Sequence, residues 1–170
     1  MPIQKIAIAI AFAGAATVTS SSLAADARID VSRIIDKAEA ESILGEPVKD
    51  PTPRNGDGQD GYYSKCNYYS ANPGKSLLIR VHEPAPNAIA PAKELELIAA
   101  SNGAMQSVPG LGDKAKMSNS GGDSGLASRV LMLYVAKGSA FITIGLGGMA
   151  DETAALEKAK SVAQKILEHL

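Results

Sequence analysis

Apolar and polar residues alternate in two parts of the chain, and each part predicts a β-hairpin. The first hairpin pairs a strand at 61–70 with one at 76–83 across a turn that contains Pro and Gly. The second pairs a strand at 126–136 with one at 140–146 across a Lys-Gly turn. Because a hairpin joins antiparallel neighbours, the sequence predicts an antiparallel sheet built from two hairpin units.

Three segments have the residues that begin and end helices. Asp36 can cap a helix at 37–44, and a long helix follows Asp151 to residue 168 with apolar residues at helical spacing. Between them, Pro suits the first position of a helix at 91–101. The same order of strands and helix occurs twice, which favours an αβββ-type internal duplication. We therefore expect a single α+β domain at 25–170, with the helices packed on one face of the sheet.

The first residues, 1–24, have the order of a secretory signal peptide. Lys5 precedes an apolar run at 6–18, which is too short to span a bilayer. Small residues at 22 and 24 suit cleavage after residue 24, and the alanines that follow offer other cleavage points. A short buried helix or an uncleaved anchor is the alternative. We therefore expect a periplasmic or secreted protein with no membrane anchor left after cleavage.

Composition excludes several classes of function. The chain has 17 Lys and Arg against 18 Asp and Glu, and a net charge of −1 lacks the positive charge of a nucleic-acid binder. Its single cysteine, Cys66, rules out a disulfide framework within the chain and a multi-cysteine metal site. The two histidines, His82 and His169, have no second ligand at metal-binding spacing. We therefore expect no metal and no cofactor.

The polar side of the first hairpin is the candidate binding surface. If residue 71 faces residue 76, Cys66 lies opposite Val81 and Tyr68 opposite Ile79 on the apolar side, where we expect an unreactive thiol. The other side carries tyrosines and cations, which suit binding surfaces. Its candidate binding residues are Tyr63, Lys65, Asn67, Tyr69, Arg80 and His82. The alternative is that tyrosine is simply a good strand residue on a half-exposed face.

Two glycine-rich segments have the residue types of known binding loops but not the surrounding sequence that those loops need. Residues 110–115 read Gly-Leu-Gly-Asp-Lys-Ala, but a dinucleotide loop needs a strand before it and a helix after it. Pro109 precedes this segment and no helix start follows it, so we expect a tight turn. Residues 55–60 have the composition of a calcium loop without its glycine and glutamate at the required positions. We therefore expect 50–61 to be a solvated loop, and an irregular, low-affinity calcium contact is the alternative.

Four short segments carry a resemblance to known proteins. They are 43–45 (Ile-Leu-Gly), 66–68 (Cys-Asn-Tyr), 108–115 (Val-Pro-Gly-Leu-Gly-Asp-Lys-Ala) and 159–163 (Ala-Lys-Ser-Val-Ala). In this order they resemble uncharacterised exported bacterial α+β domain proteins, and they are similar to small secreted or lipid-anchored domains of actinobacterial lipoproteins. Those relatives often have a second cysteine near the first helix, which this chain lacks. The resemblance implies a fold and an exported protein, and it brings no catalytic residues.

No catalytic constellation is visible in the sequence. We therefore hypothesise an exported, non-enzymatic binding or accessory protein, whose partner is an unidentified protein or small ligand. One alternative is a periplasmic inhibitor or immunity-type protein that blocks a toxic or lytic enzyme. A second alternative is an enzyme that uses carboxylates in the loops, which would be Asp57, Asp60, Asp113 or Asp123.

Overall fold

The structure, a computed structural model, describes residues 28–72, 74–120 and 130–170. The predicted signal peptide, Asp123 and the first part of the strand predicted at 126–136 lie outside the described residues. Within them, seven antiparallel strands form one sheet in the order β1-β2-β3-β7-β6-β5-β4. The strands are β1 (Arg54–Asp57), β2 (Gly61–Tyr69), β3 (Ser76–Pro84), β4 (Gln106–Ser107), β5 (Lys114–Ser120), β6 (Val130–Lys137) and β7 (Ala140–Gly147). The antiparallel sheet is confirmed, and its two predicted hairpins lie side by side at the centre.

Four helices pack against the sheet in the described part of the chain. They are α1 (Val31–Ile34), α2 (Lys37–Leu44), α3 (Pro91–Ser101) and α4 (Glu152–Leu167). The three predicted helices are confirmed, and the side chains of Asp36 and Asp151 accept hydrogen bonds from N–H groups of their first turns. The single turn of α1, capped by Asp30, is an element that the pattern did not predict. None of these helices is long and apolar enough to cross a membrane.

One face of the sheet forms the main core beneath α1, α2 and α4. Alternate residues of the central strands point to this face, because side chains along a strand alternate between its two sides. Burying these apolar side chains against helices is the main stabilising contribution to the fold. They include Cys66, Leu77, Ile79, Val81, Leu133, Val135, Ile142, Ile144 and Leu146, which pack against Ala159, Val162, Ala163 and Ile166 of α4.

The third helix, α3, packs on the opposite face of the sheet, so the prediction that all helices share one face is wrong. Leu95 of α3 packs against Tyr134 and Phe141 in a separate cluster of buried residues. Tyr134 and Phe141 neighbour Val135 and Ile142 in sequence and therefore point away from the main core. This second face is apolar over β6 and β7, and α3 covers it there because exposed aromatic surface is unfavourable.

The register of each hairpin differs by two residues from the prediction. Cys66 lies opposite Ile79 rather than Val81, and Tyr68 lies opposite Leu77 rather than Ile79. In the second hairpin the sequence predicts Ala136 opposite Ser139, whereas Ala136 lies opposite Phe141. A shift of two residues keeps every side chain on its predicted face, because the side-chain period of a strand is two. The predicted division of the first hairpin into an apolar and a polar side therefore holds.

The segment predicted as a solvated loop at 50–61 contains the edge strand β1. Arg54 pairs with Lys65 and Asp57 pairs with Tyr62, and all four residues of β1 are exposed. The sequence of β1 is polar and contains glycine, so it has no hydrophobic alternation that could have predicted a strand. Backbone pairing to the neighbouring strand, rather than burial, forms this edge.

The predicted tight turn before β5 is confirmed. Residues 108–113 connect α3 and the short β4 to β5, and a strand rather than a helix follows the two glycines. Gly112 has φ 59°, and a Cβ placed on it would lie 2.5 Å from Val135 Cγ1 and 2.7 Å from the Ala136 carbonyl oxygen. Glycine is therefore required here by a close approach of two backbone segments and not by a phosphate.

Candidate binding surface

The face that carries α3 is covered only in part. The helix packs against β5, β6 and β7, while the neighbouring surface of β1, β2 and β3 is left accessible. We call this accessible surface the open strip, and it consists of Arg54, Tyr63, Lys65, Asn67, Tyr69 and Arg80. Five of the six predicted binding residues belong to it, and Arg54 is an addition.

A groove of about 620 Å³ runs along the open strip. Arg54, Lys65 and Tyr69 line it, together with Tyr63 and Asn67 of the same strand. Asp50 and Thr52, from the segment before β1, complete one side of the groove. Four predicted binding residues on β2 thus line a concave surface large enough for a small organic molecule or a short polymer segment.

Three cations form a row across the open strip. Arg54 is the direct cross-strand partner of Lys65, and Lys65 is the direct partner of Arg80. Because neighbouring strands are about 4.8 Å apart, the three side chains leave the sheet within about 10 Å of one another. Like charges directly opposite each other destabilise a sheet. The row therefore holds three positive charges together against a local electrostatic penalty.

No carboxylate forms an ion pair with this row among the described residues. Nine other Lys and Arg side chains there form ion pairs, whereas Arg54, Lys65 and Arg80 form none. Asp50 accepts a hydrogen bond of 2.6 Å from Lys37, and Asp57 pairs with Arg28. The Asp60 carboxyl, whose pKa is lowered first by Tyr63 and also by Arg80, offsets part of the Arg80 charge, so Arg54 and Lys65 supply the unneutralised positive charge of the groove.

Tyr63 is held rigidly beside the row. Its ring lies parallel to the ring of His82 with 4.2 Å between centroids, and the Arg80 guanidinium lies 4.6 Å from its centroid. The Lys65 ammonium lies 5.0 Å from the same ring. The Tyr63 hydroxyl donates a 2.7 Å hydrogen bond to Asp60. Burial, followed by this hydrogen bond, raises the pKa of Tyr63, while the same bond lowers the pKa of the Asp60 carboxyl.

His82 lies beside Tyr63 on the neighbouring strand and is only 3% exposed. Its Nδ1 lies 3.1 Å from Glu94 Oε2 of α3, and its Nε2 lies 3.8 Å from Asp60 Oδ2. The predicted face is correct, but α3 and Tyr63 cover this position. His82 therefore supports the ring of Tyr63 through the stacking contact and is not accessible to a ligand.

Arg80 is half-buried, and its buried Nε has no hydrogen-bond partner among the described residues. An unsatisfied buried donor is unfavourable, so other contacts must hold the side chain in place. The cation–π contact with Tyr63 and the attraction of the Asp60 carboxylate are two such contacts. At the other end of the strip, Asn67 Nδ2 donates to the Tyr69 hydroxyl at 3.3 Å, and Tyr69 is 49% exposed. The strip therefore combines a fixed aromatic ring with an accessible one.

The carboxylates considered for catalysis do not share one site in the described residues. Asp57 pairs with Arg28, and Asp60 accepts from Tyr63. Asp113 accepts hydrogen bonds from Lys137 Nζ at 2.9 Å and from the Gly138 N–H at 2.7 Å. The hydrogen bond from Gly138 is the largest cause of the lowered pKa of the Asp113 carboxyl. Asp123 lies outside the described residues. Three described carboxylates therefore have three separate local partners.

Cys66 is a free, buried cysteine on the main core face. Burial raises the pKa of its thiol, which keeps it protonated at neutral pH. The prediction of a packed thiol is confirmed, with Ile79 rather than Val81 as its cross-strand neighbour. In the part of the chain that the structure describes, no group of three or more His, Cys, Asp and Glu side chains is placed to hold a metal ion.

Sequence reasoning missed Arg54, because it lies in a segment without any hydrophobic pattern. The signal that could have found it is cross-strand pairing: once β1 is paired with β2, Arg54 must face Lys65. Comparison of the chain with models of known protein families and with curated proteins found no match. The argument for function therefore depends on the open strip itself.

Proposed function

We propose that this chain is an exported binding or accessory protein, without catalytic activity of its own, that binds its ligand on the open strip. The observation that carries this proposal is the row formed by Arg54, Lys65 and Arg80. Three adjacent cations that form no ion pair within the described residues are unfavourable in the free protein, and a bound anionic group would relieve their repulsion.

The residue types of the strip also favour binding. Tyrosine and arginine are enriched among the residues that contribute most to binding, because each combines a large contact area with hydrogen-bonding groups. Tyr63 is fixed by four contacts, so little side-chain freedom would be lost on binding. Tyr69 offers an exposed ring at the other end of the groove.

Export is proposed from the signal peptide predicted at 1–24. The resemblance to exported bacterial α+β domains supports the same compartment, and we propose the periplasm or the extracellular space. The sheet order supports the internal duplication: β1-β2-β3 and β5-β6-β7 are two antiparallel triplets that meet at β3 and β7. The helices do not follow this symmetry, since α2 and α3 pack on opposite faces.

Affinity capture tests the proposed function. The mature chain 25–170 is immobilised and exposed to periplasmic and culture-medium extract, in parallel with the variant Arg54→Ser/Lys65→Ser. Lys93→Ser/Lys116→Ser is the control, because it removes the same charge on the half of the face that α3 covers. We expect the strip variant to lose a component that wild type and control both retain. Equal recovery by all three folded proteins would contradict the proposal.

The same experiment evaluates the inhibitor or immunity-type alternative. The inhibitor alternative is supported by the tyrosine and arginine side chains of the strip, because these residue types are enriched in protein–protein interfaces. If the retained component is an enzyme, its activity is measured with and without the chain. Inhibition that depends on Arg54 and Lys65 would identify the chain as an inhibitor.

A further inference from the structure

The direction of the cation row limits the kind of ligand that can use it. The row crosses the strands, and the backbone groups of β2 and β3 are paired with strands on both sides. Within the described residues, the sheet edge next to the strip is that of β1, and a polypeptide that added there would lie parallel to the strands and not across them. A ligand that contacts all three cations must therefore bind through its own charged and polar groups.

The carboxylates near the two ends of the groove do not oppose an anionic ligand. Asp57 lies directly opposite Tyr62, on the other face of the sheet from Tyr63 and Lys65, and it pairs with Arg28. Asp50 follows Lys49, whose N–H donates to the Tyr69 carbonyl at the other end, and it pairs with Lys37. Both acids are thus paired with cations outside the strip, so the charge that a ligand meets along β2 is that of the cation row.

The remaining groups of the groove suit hydroxyl groups. Thr52 supplies a hydroxyl, Asn67 an amide and Tyr69 a phenol hydroxyl, and all three are exposed. The exposed ring of Tyr69 offers an apolar surface for the C–H groups of a ring-shaped ligand. Positive charge, hydrogen-bonding groups and an aromatic ring thus occur together.

From this combination we propose that the open strip binds an acidic oligosaccharide, a hydroxyl-rich chain that carries carboxylates. This inference rests on the proposed function and names its ligand class. The carboxylates contact Arg54, Lys65 and Arg80, and arginine suits them because its guanidinium can form two parallel hydrogen bonds to one carboxylate. The apolar faces of the sugar rings lie against Tyr69.

Isothermal titration calorimetry tests the inference in calcium-free buffer of low ionic strength. The probes are an oligogalacturonide, a neutral galactose oligomer of equal length, inorganic polyphosphate and poly-glutamate. We expect saturable binding of the oligogalacturonide, with each of the other three at least roughly tenfold weaker, since the neutral chain lacks charge and the others lack hydroxyls. Added salt weakens the binding, because the contacts are exposed.

The variants show whether that binding uses the strip. Arg54→Ser/Lys65→Ser should bind the oligogalacturonide roughly tenfold more weakly, while Lys93→Ser/Lys116→Ser should stay within about twofold of wild type. Absent oligogalacturonide binding, equal affinities of the two variants, or tighter binding of polyphosphate or poly-glutamate would each overturn the inference. If capture from extract still depends on Arg54 and Lys65 in that case, the ligand class is wrong and the proposed function stands. If capture does not depend on Arg54 and Lys65, the ligand class and the proposed function are both wrong.

Discussion

The ring of Tyr63 lies parallel to the imidazole of His82, with 4.2 Å between their centroids and an interplanar angle of 5°. Tyr63 belongs to the open strip, whereas His82 is buried and contacts Glu94 of α3. The stack therefore joins the accessible surface to the helix on the same face. The geometry of the strip depends in this way on α3, although α3 does not cover it.

Substitution of Tyr63 tests the contribution of this stack. Tyr63→Leu should lower the free energy of unfolding by about 1 kcal/mol, because aromatic pairs contribute that much beyond the area they bury. Tyr63→Phe keeps the ring and loses only the exposed hydrogen bond to Asp60, so its effect should be smaller. Urea denaturation measures both. A phenylalanine variant as unstable as the leucine variant would show that the hydroxyl, and not the stack, is what matters.

Substitution of His82 tests the link to α3. In His82→Leu the Glu94 carboxylate, which is 20% exposed, loses its hydrogen-bond partner. We expect a loss of about 2 kcal/mol in unfolding free energy, because a partly buried polar group is left unsatisfied. The substitution should also accelerate amide hydrogen exchange in α3 and leave it unchanged in α4, which packs on the other face of the sheet. Glu94→Gln, which can still hydrogen-bond the ring, is the control. Unchanged exchange in α3 would contradict the link.

The two buried acidic groups Cys66 and Tyr68 predict a loss of stability at alkaline pH. Burial raises the pKa of both groups in the folded protein, so the unfolded chain releases these protons at lower pH than the folded protein does. Their contribution is complete below the unfolded pKa and is lost as pH rises, from about pH 8.5 for the thiol and about pH 10 for the phenol.

Cys66→Ala separates the two contributions. Wild type should lose up to about 1.4 kcal/mol per pH unit from near pH 8.5, and the variant only from near pH 10. Urea denaturation at a series of pH values measures the loss of unfolding free energy. In addition, alkylation of Cys66 in the native protein should be much slower than alkylation in denaturant. Coincident pH profiles of the two proteins would contradict a buried, protonated thiol.

A pair of glycine substitutions tests the turn before β5. Gly112→Ala should lower the free energy of unfolding by about 3 kcal/mol, because it adds left-handed backbone strain to a clash with Val135 and the Ala136 carbonyl. Gly110→Ala is the matched control: its φ is 76°, but a Cβ there would have open space, so about 1 kcal/mol is expected. Thermal or urea unfolding measures the difference. Equal losses would mean that the close approach at Gly112 is not important.

The hairpins were predictable because burial of one face imposes strict alternation on their residues. Their register was not, because contacts from outside the hairpin decide it. The Ala71 N–H donates to the Pro47 carbonyl, and Ser70 pairs with Lys75, so residue 71 is not available to face residue 76. The position of Pro47 relative to this turn is a tertiary feature that local sequence does not contain.

The candidate site was predictable only where it lies on an alternating strand. Tyr63, Lys65, Asn67 and Tyr69 follow from the period of β2, which places them on one side. Arg54 lies on an edge strand without hydrophobic pattern. The burial of His82 depends on α3, which packs on the face opposite the main core and covers Tyr134 and Phe141 there. The position of Arg54 and the burial of His82 both come from tertiary packing.

Lysine footprinting tests most directly whether the open strip is a binding surface, because it needs no prior identification of the ligand. The mature chain is treated with an acetylating reagent, alone and in native periplasmic and culture-medium extract, and the rate at each lysine is read by mass spectrometry. Lys93, exposed on α3 outside the strip, is the internal control. We predict that extract slows acetylation of Lys65 several-fold and leaves Lys93 unchanged. Equal rates at Lys65 with and without both extracts would contradict the central claim.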